Sequence, residues 1–260
     1  MPLALEAISG LSRQTTALFL DFDGTVTPIV AHPDDVRVDA DVLSSLAELR
    51  SLLDGALAIV SGREISKLDQ FLQPMVLPAS GAHGYEWRFA NEPIRRLDAR
   101  DDMLSAAALT LERYVAQHAD LVLERKNSGV ALHYRARPEL AKACRALAET
   151  IAREHPGLVV VAGKMVVEIK AHGGDKGRGI LAFLEAAPFA SRTAVFIGDD
   201  VTDEAGFKAV NEIGGISIKV GEGETLARYR LSDSAAVAAW LGRLIRHLKS
   251  TSGQASDAGE

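Results

Sequence analysis

The chain has a single cysteine, Cys144, in 260 residues. No intrachain disulfide is therefore available, and a reducing compartment fits. No stretch approaches the ~20 apolar residues that a membrane span requires. Residues 1–10 lack the basic stretch and long apolar core of a signal peptide. Positive charge is not in excess either: 35 acidic against 29 basic residues give a net charge of -6. Such a balance creates no bulk field to draw in nucleic acid or an anionic membrane. Internal repeats are absent, and the one polar, Gly/Ser-containing stretch, 249–260, is expected to be a disordered tail. With these classes set aside, the expectation is a cytoplasmic protein acting on a small molecule, as a monomer or weak dimer.

The composition that remains, 47% hydrophobic and 25% charged, is that of an ordinary globular chain. Its length suffices for one large domain or a core with a smaller insert. Thr16-Ala17-Leu18-Phe19-Leu20 is an apolar run that stops at Asp21. It lacks polar alternation, as a strand covered on both faces of a parallel sheet does. Residues 39–53 follow with apolar side chains at helical spacing (Val42, Leu46, Leu49, Leu53). Similar buried strands are expected at Leu57-Ala58-Ile59-Val60, ending in Ser61-Gly62-Arg63, and at Thr193-Ala194-Val195-Phe196-Ile197, ending in Gly198-Asp199-Asp200. A shorter one is expected over 215–220. Strands alternating with helices predict an α/β fold, a doubly wound, Rossmann-like parallel sheet. Ligands of such sheets bind beyond the carboxyl ends of the strands, where these polar residues lie.

The middle of the chain has another rhythm. A helix is expected over 101–118, a hairpin over 121–135 turning at Asn127-Ser128-Gly129, a second helix over 139–155, and a second hairpin over 158–170 turning near Ala162-Gly163. This α+β pattern is expected to form an inserted cap, 91–170, in a core made of 14–90 and 171–248.

Asp21-Phe22-Asp23-Gly24-Thr25 is the most informative segment. Residues two apart leaving a strand point to the same side, so both carboxylates can face one site. One can attack phosphorus while the other protonates the leaving oxygen and later activates water. A turn with two solvated aspartates has the same letters, but the buried strand before it argues against that. Ser61-Gly62-Arg63 offers a hydroxyl and backbone amides to an anion. Lys176, read as part of a glycine-rich loop over 173–179, can neutralise a nucleophile and a phosphoryl group. The spacing there is not that of a Walker loop. Asp199, Asp200, Asp203 and Glu204 follow a strand; Mg²⁺ takes such oxygen ligands, and an acidic helix start is the other use of the same residues.

Taken in order, Asp21-x-Asp23-Gly24-Thr25, Ser61, Lys176 and Gly198-Asp199-Asp200 resemble the four motifs of the haloacid dehalogenase-like phosphohydrolases. The resemblance implies Asp21 as nucleophile through an aspartyl-phosphate and Asp23 as general acid/base. It places Ser61 and Lys176 on the phosphate, and Mg²⁺ on Asp21, Asp199 and the backbone carbonyl of Asp23. Asp200 and Asp203 would stand behind these ligands. The dehalogenases lack the second aspartate, so Asp23 implies phosphoryl chemistry.

Gly81-Ala82-His83-Gly84-Tyr85-Glu86 and the hairpin segments Glu124-Arg125-Lys126, Leu132-His133-Tyr134-Arg135 and Gly163 to Lys170 resemble trehalose-6-phosphate phosphatases. That likeness implies that Glu124, Lys126 and Glu168 reach hydroxyls of the distal glucose. Phe22, Gly62, Arg63, His83, Gly84 and Arg135 join Asp21, Asp23, Ser61 and Lys176 in contact with a sugar phosphate. Lys170-Ala171 departs from the Arg-Pro common after the last cap strand in that family. Glu and Lys alternating along a hairpin also describe a solvated sheet face. The implied activity is hydrolysis of trehalose 6-phosphate, the last step of trehalose biosynthesis. A phosphatase of sucrose 6-phosphate or mannosylglycerate phosphate, a sugar phosphomutase, and a non-catalytic sugar-phosphate binder are the alternatives.

Overall fold

The computed structural model describes residues 6–251 apart from 31–34, 90–91, 97–100, 127–128, 164 and 172–174. In chain order the elements are β1 (Thr16–Leu20), α1 (Ala40–Leu52), β2 (Leu57–Val60), α2 (Ile65–Leu72), β3 (Ala79–Gly81), β4 (Glu86–Arg88), β5 (Arg95–Arg96) and α3 (Asp101–Ala116). Then come β6 (Val122–Lys126), β7 (Gly129–His133), α4 (Ala141–Glu154), β8 (Leu158–Gly163), β9 (Val166–Ala171) and α5 (Lys176–Leu184). The chain closes with β10 (Thr193–Gly198), α6 (Glu204–Glu212), β11 (Ile216–Val220), β12 (Tyr229–Leu231) and α7 (Ser234–Ser250). It divides into two compact units, Met1–Arg95 with Asp175–Glu260, and Arg96–Gly174.

The large unit is built on a sheet of order β12-β11-β10-β1-β2-β3-β4-β5. β12 through β3 are parallel, and β4 returns antiparallel to β3. Ala17, Leu18, Phe19 and Leu20 have no exposed surface, because the strand is covered on both faces. Phe19 lies 5.4 Å from Phe189 and 6.1 Å from Phe183, ring to ring. Each such ring stabilises the core by roughly 1.5–3 kcal/mol relative to exposure. From β1 the chain proceeds outward through β2 and β3. It returns at β10 on the other side of β1 and proceeds outward again through β11 and β12. The reversal lies between β1 and β10, where doubly wound sheets open a crevice at their carboxyl ends.

Several boundaries differ from those expected. The three-residue strands β3, β4 and β12 are too short to show periodicity and are not among the strands expected. Ile8 and Leu11, ahead of the expected core start at 14, are buried in the core cluster. Lys249 and Ser250, expected in the tail, belong to the last turn of α7, whose buried Leu248 holds that turn on the core. The rest of that expected tail, 252–260, lies outside the described residues. Among those described, no helix is long and apolar enough to cross a membrane.

The small unit has an antiparallel sheet of order β6-β7-β9-β8. The two hairpins therefore join through β7 and β9, in the register Ala131 opposite Glu168. Val130, Leu132, Val167 and Ile169 are buried on the face that packs on α3 and α4. The first hairpin's expected turn at 127–128 lies outside the described residues. Ala162 and Gly163, read as the second turn, are strand residues: Gly163 pairs with Val166, so the chain reverses between them.

Candidate active site

Asp21 continues β1 by one residue, its N–H donating to the Ile197 carbonyl at 2.9 Å. The residue is buried, 3% exposed. Lys176 Nζ donates to Asp21 Oδ1 at 2.6 Å and to Asp203 Oδ1 at 2.6 Å. Burial pushes the Asp21 carboxyl well above its usual range, outweighing the opposite pull of Lys176, and the Asp203 charge adds to the rise. Burial alone would depress Lys176. The charges of Asp21 and Asp203 and their hydrogen bonds override it and hold the ammonium above its ordinary value. Two buried carboxylates on one buried ammonium leave a surplus of negative charge.

The loop after Asp21 turns at Gly24, whose φ of +81° suits glycine. A Cβ there would lie 2.0 Å from Asp199 Oδ2, so only glycine lets the loop approach the end of β10. The Phe22 side chain is fully buried and stacks on Phe71 at 5.9 Å. Its backbone is the part that faces the site, with the N–H donating to the Asp21 carboxylate.

Asp23 has a different partner. Both of its oxygens accept from Arg63, at 2.6 Å from Nε and 2.7 Å from Nη2. The guanidinium lies over the rings of Phe71 (5.0 Å) and Phe22 (5.9 Å). Arg63, expected as a ligand for a sugar phosphate, is thus engaged by a partner of opposite charge in a planar bidentate pair.

Lys176 is not in a glycine loop. It is the first residue of α5, capped by Asp175, whose side chain accepts from the Arg178 N–H at 2.8 Å. Gly173 and Gly174 lie outside the described residues, and Gly177 and Gly179 serve packing. A Cβ on Gly177 would stand 2.6 Å from the Ala205 carbonyl, so glycine allows α5 and α6 to approach closely. That approach brings Lys176 to Asp203.

Asp203 is fully buried. Its Oδ1 meets Lys176, and its Oδ2 accepts from the N–H groups of Asp199 (3.0 Å) and Asp200 (2.9 Å). Asp200 itself is exposed and begins a 3-10 turn, Val201–Asp203. Lys219 of β11 donates to the Asp199 carbonyl. Burial raises the Asp199 carboxyl too, more than its hydrogen bond with Asp21 lowers it. Asp199 Oδ1 is buried without a hydrogen-bond partner among the described residues. Oxygen atoms of Asp21, Asp199 and Asp203 lie within 4.8 Å of one another, close enough to hold a metal ion. An unpartnered carboxylate oxygen and surplus negative charge in an all-oxygen donor set fit a hard divalent cation. Asp203 has both oxygens committed, which leaves Asp21 and Asp199 as the available ligands.

Ser61 is buried at the end of β2, its Oγ accepting from the Arg63 N–H at 3.2 Å. Ala82 and His83 follow β3 with left-handed φ values of 48° and 55°, and Gly84 has φ 89°.

In the small unit, Ala131 pairs with Glu124 on one side and Glu168 on the other, so both carboxylates rise from the same sheet face. Glu124 Oε2 accepts from His133 Nε2 at 2.8 Å. Glu168 Oε2 lies 3.4 Å from Lys170 Nζ. Lys126 closes β6, but its side chain lies outside the described residues. Arg135 is exposed in the turn beyond β7, off the sheet face. Sequence reading did not single out Lys219 or the pairing of Arg63 with Asp23. A lone charge in β11, whose other residues are apolar apart from Ser217, is the signal that could have found the first.

The fold is that of the haloacid dehalogenase-like hydrolases. A Bacteroides thetaiotaomicron haloacid dehalogenase-like hydrolase shares it at TM-score 0.57 and 14% identity, over 88% of this chain and 99% of that one. A solved trehalose-6-phosphate phosphatase related protein is nearer, at TM-score 0.68 and 29% identity, covering 90% of this chain and 99% of its own. The trehalose-phosphatase family profile matches residues 19–235. The trehalose-6-phosphate phosphatase of Escherichia coli K12 is 42% identical over 225 residues, 86% of this chain and 85% of that protein. The chain belongs to the trehalose-phosphatase family.

Proposed function

We propose that the chain hydrolyses trehalose 6-phosphate to trehalose and phosphate with Mg²⁺ as cofactor, Asp21 being the nucleophile. The observation that carries the mechanism is the buried Asp21 at the reversal of the sheet, bonded to Lys176 and grouped with Asp199. An Asp21 oxygen attacks phosphorus and the bond to the sugar oxygen breaks, with Asp23 supplying the proton that oxygen needs. Asp23 then takes a proton from water as the water oxygen attacks phosphorus, breaking the bond to Asp21 and releasing phosphate. Both Asp23 oxygens are engaged by Arg63 in the resting structure, so the proton-donating step requires that pair to open. Ser61, the amides after it and Lys176 hold the phosphoryl oxygens. Mg²⁺, held by Asp21, Asp199 and the Asp23 carbonyl, would supply charge neutralisation and orient the phosphoryl group. The single buried cysteine accords with a cytoplasmic location.

Glu124 and Glu168, with Lys126, are assigned to sugar hydroxyls, since carboxylates sharing a face accept from vicinal O–H groups. The test is a substrate panel with Glu168→Ala. Its kcat/KM for trehalose 6-phosphate falls about 10- to 100-fold, the worth of one charge-assisted hydrogen bond, while a small aryl phosphate is spared. Equal losses on both esters, or faster turnover of sucrose 6-phosphate by the unmodified enzyme, would defeat this assignment.

Metal binding has a readout that needs no turnover. Mg²⁺ at a hundredfold excess over its Kd stabilises the folded state by about 2.7 kcal/mol. For a chain of this size that raises the thermal midpoint by roughly 2–4 °C per kcal/mol. Asp21 and Asp199 both hold their protons above the usual range, so protons compete with the ion. The shift therefore grows as pH rises above the ordinary carboxylate range. Asp199→Asn removes most of it, and a midpoint indifferent to Mg²⁺ in the unmodified protein would rule the site out.

A further inference from the structure

Glu86 is an almost fully buried acid, 1% exposed, with no part in the chemistry above. It starts β4, opposite Gly81 of β3, and its Oε2 accepts from the Ile65 N–H at 3.0 Å. Ile65 is the first residue of α2, directly after the Ser61–Arg63 loop; the preceding N-cap, Glu64, makes no side-chain cap hydrogen bond. Glu86 therefore caps α2 from a neighbouring strand.

The same strand pair grips the loop along its length. Ser61 N–H donates to the Ser80 carbonyl at 2.9 Å, His83 N–H to the Ser61 carbonyl at 3.1 Å, and Ala82 N–H to the Arg63 carbonyl at 2.8 Å. A Cβ on Gly81 would lie 2.8 Å from the Arg63 carbonyl and 2.9 Å from the Ile65 nitrogen. Ala82 and His83 adopt left-handed conformations, costly for residues with a Cβ, and the amides so displayed are the ones the loop uses. Arg88 at the end of β4 forms a bidentate pair with Asp69 of α2, at 2.7 Å for each contact, fastening the two elements at a second point.

We infer that Glu86 is a positioning residue for the phosphate-holding loop, acting through the Ile65 N–H to set where Ser61 and Arg63 stand. The inference rests on the proposed role of Ser61 in holding the phosphoryl group. His83, by the same geometry, serves the loop through its backbone.

Two substitutions separate reach from charge. Glu86→Gln keeps an acceptor oxygen at the same distance and loses the charge, whereas Glu86→Asp keeps the charge and loses a methylene of reach. The quantities read are KM and kcat for trehalose 6-phosphate and for a small aryl phosphate, the inhibition constant of inorganic phosphate, and the thermal midpoint. The expected result is Glu86→Gln within about threefold of the unmodified enzyme. In Glu86→Asp, KM and the phosphate inhibition constant rise together by about tenfold, with kcat changed less. The inference is overturned if Glu86→Asp keeps both constants, if Glu86→Gln is impaired as strongly as Glu86→Asp, or if only the midpoint moves. Should the unmodified enzyme hydrolyse the aryl phosphate but not trehalose 6-phosphate, the substrate assignment fails. The comparison of the two variants still decides the role of Glu86 on the remaining ester and on phosphate.

Discussion

Asp21→Asn is expected to abolish turnover, lowering kcat by at least about 10⁴-fold on every phosphate ester, because the amide oxygen is a poor nucleophile in the same place. Stability should move the other way. The Asp21 carboxylate is buried and its pKa is raised by that burial, so its ionised form is less favoured in the folded state than in the unfolded chain. A raised folded-state value makes a contribution that is fully present below the unfolded value of 3.8 and is lost as pH rises through the folded value. The asparagine variant removes that dependence. Without metal it unfolds at an equal or higher temperature than the unmodified protein at neutral pH, and its midpoint changes less between acidic and neutral pH. Lys176 retains Asp203 at 2.6 Å, so the substitution leaves no unpaired ammonium. Phosphate release, intact mass after brief exposure to substrate and a thermal melt across pH check all three statements. Residual turnover with a phosphorylated side chain other than Asp21 would sink the mechanism.

Lys176→Met should damage both fold and activity. The ammonium is 3% exposed and joins two carboxylates of which one, Asp203, has no exposed surface. Methionine matches the stem but leaves Asp21 and Asp203 as neighbouring buried negative charges. Breaking a buried pair by removing one member costs about 3–5 kcal/mol. At roughly 2–4 °C per kcal/mol, the midpoint falls by about 6–20 °C. Acidification recovers part of the loss, since protonating either carboxylate removes the repulsion, but recovers no turnover. Asp203 also holds the amides of Asp199 and Asp200, so the damage extends to the acidic end of β10. A Lys176→Met enzyme that melts at the unmodified temperature would mean that the ion pairs carry little of the local structure.

The sequence was most legible where burial is extreme. β1, β2 and β10 are continuous apolar runs that end in polar residues, and a strand covered on both faces has no other way to be written. The short strands β3 and β4 escaped because three residues cannot display a period, and Glu86, a charge at the start of a strand, gives no strand signal. Lys176 was recognised as a cation for the site but put in a loop. Glycines in sequence signify flexibility or close packing alike, and the nearby Ala205 carbonyl decides for packing. Phe22 carried the motif's letters while its ring belongs to the core.

By itself, then, the sequence determined the α/β class, the order of the motifs and the identity of the acids at the strand ends, because these depend on local pattern and on residue chemistry. Tertiary structure alone decided the partners. Arg63 pairs with Asp23 across 40 positions, Lys176 with Asp21 across 155, and Glu86 with the amide of Ile65 across 21. Such contacts arise where separate loops converge at the carboxyl edge of one sheet and between neighbouring strands and helices. Charge pairing and hydrogen bonding act over a few ångströms in space, a distance that spacing along the chain does not encode.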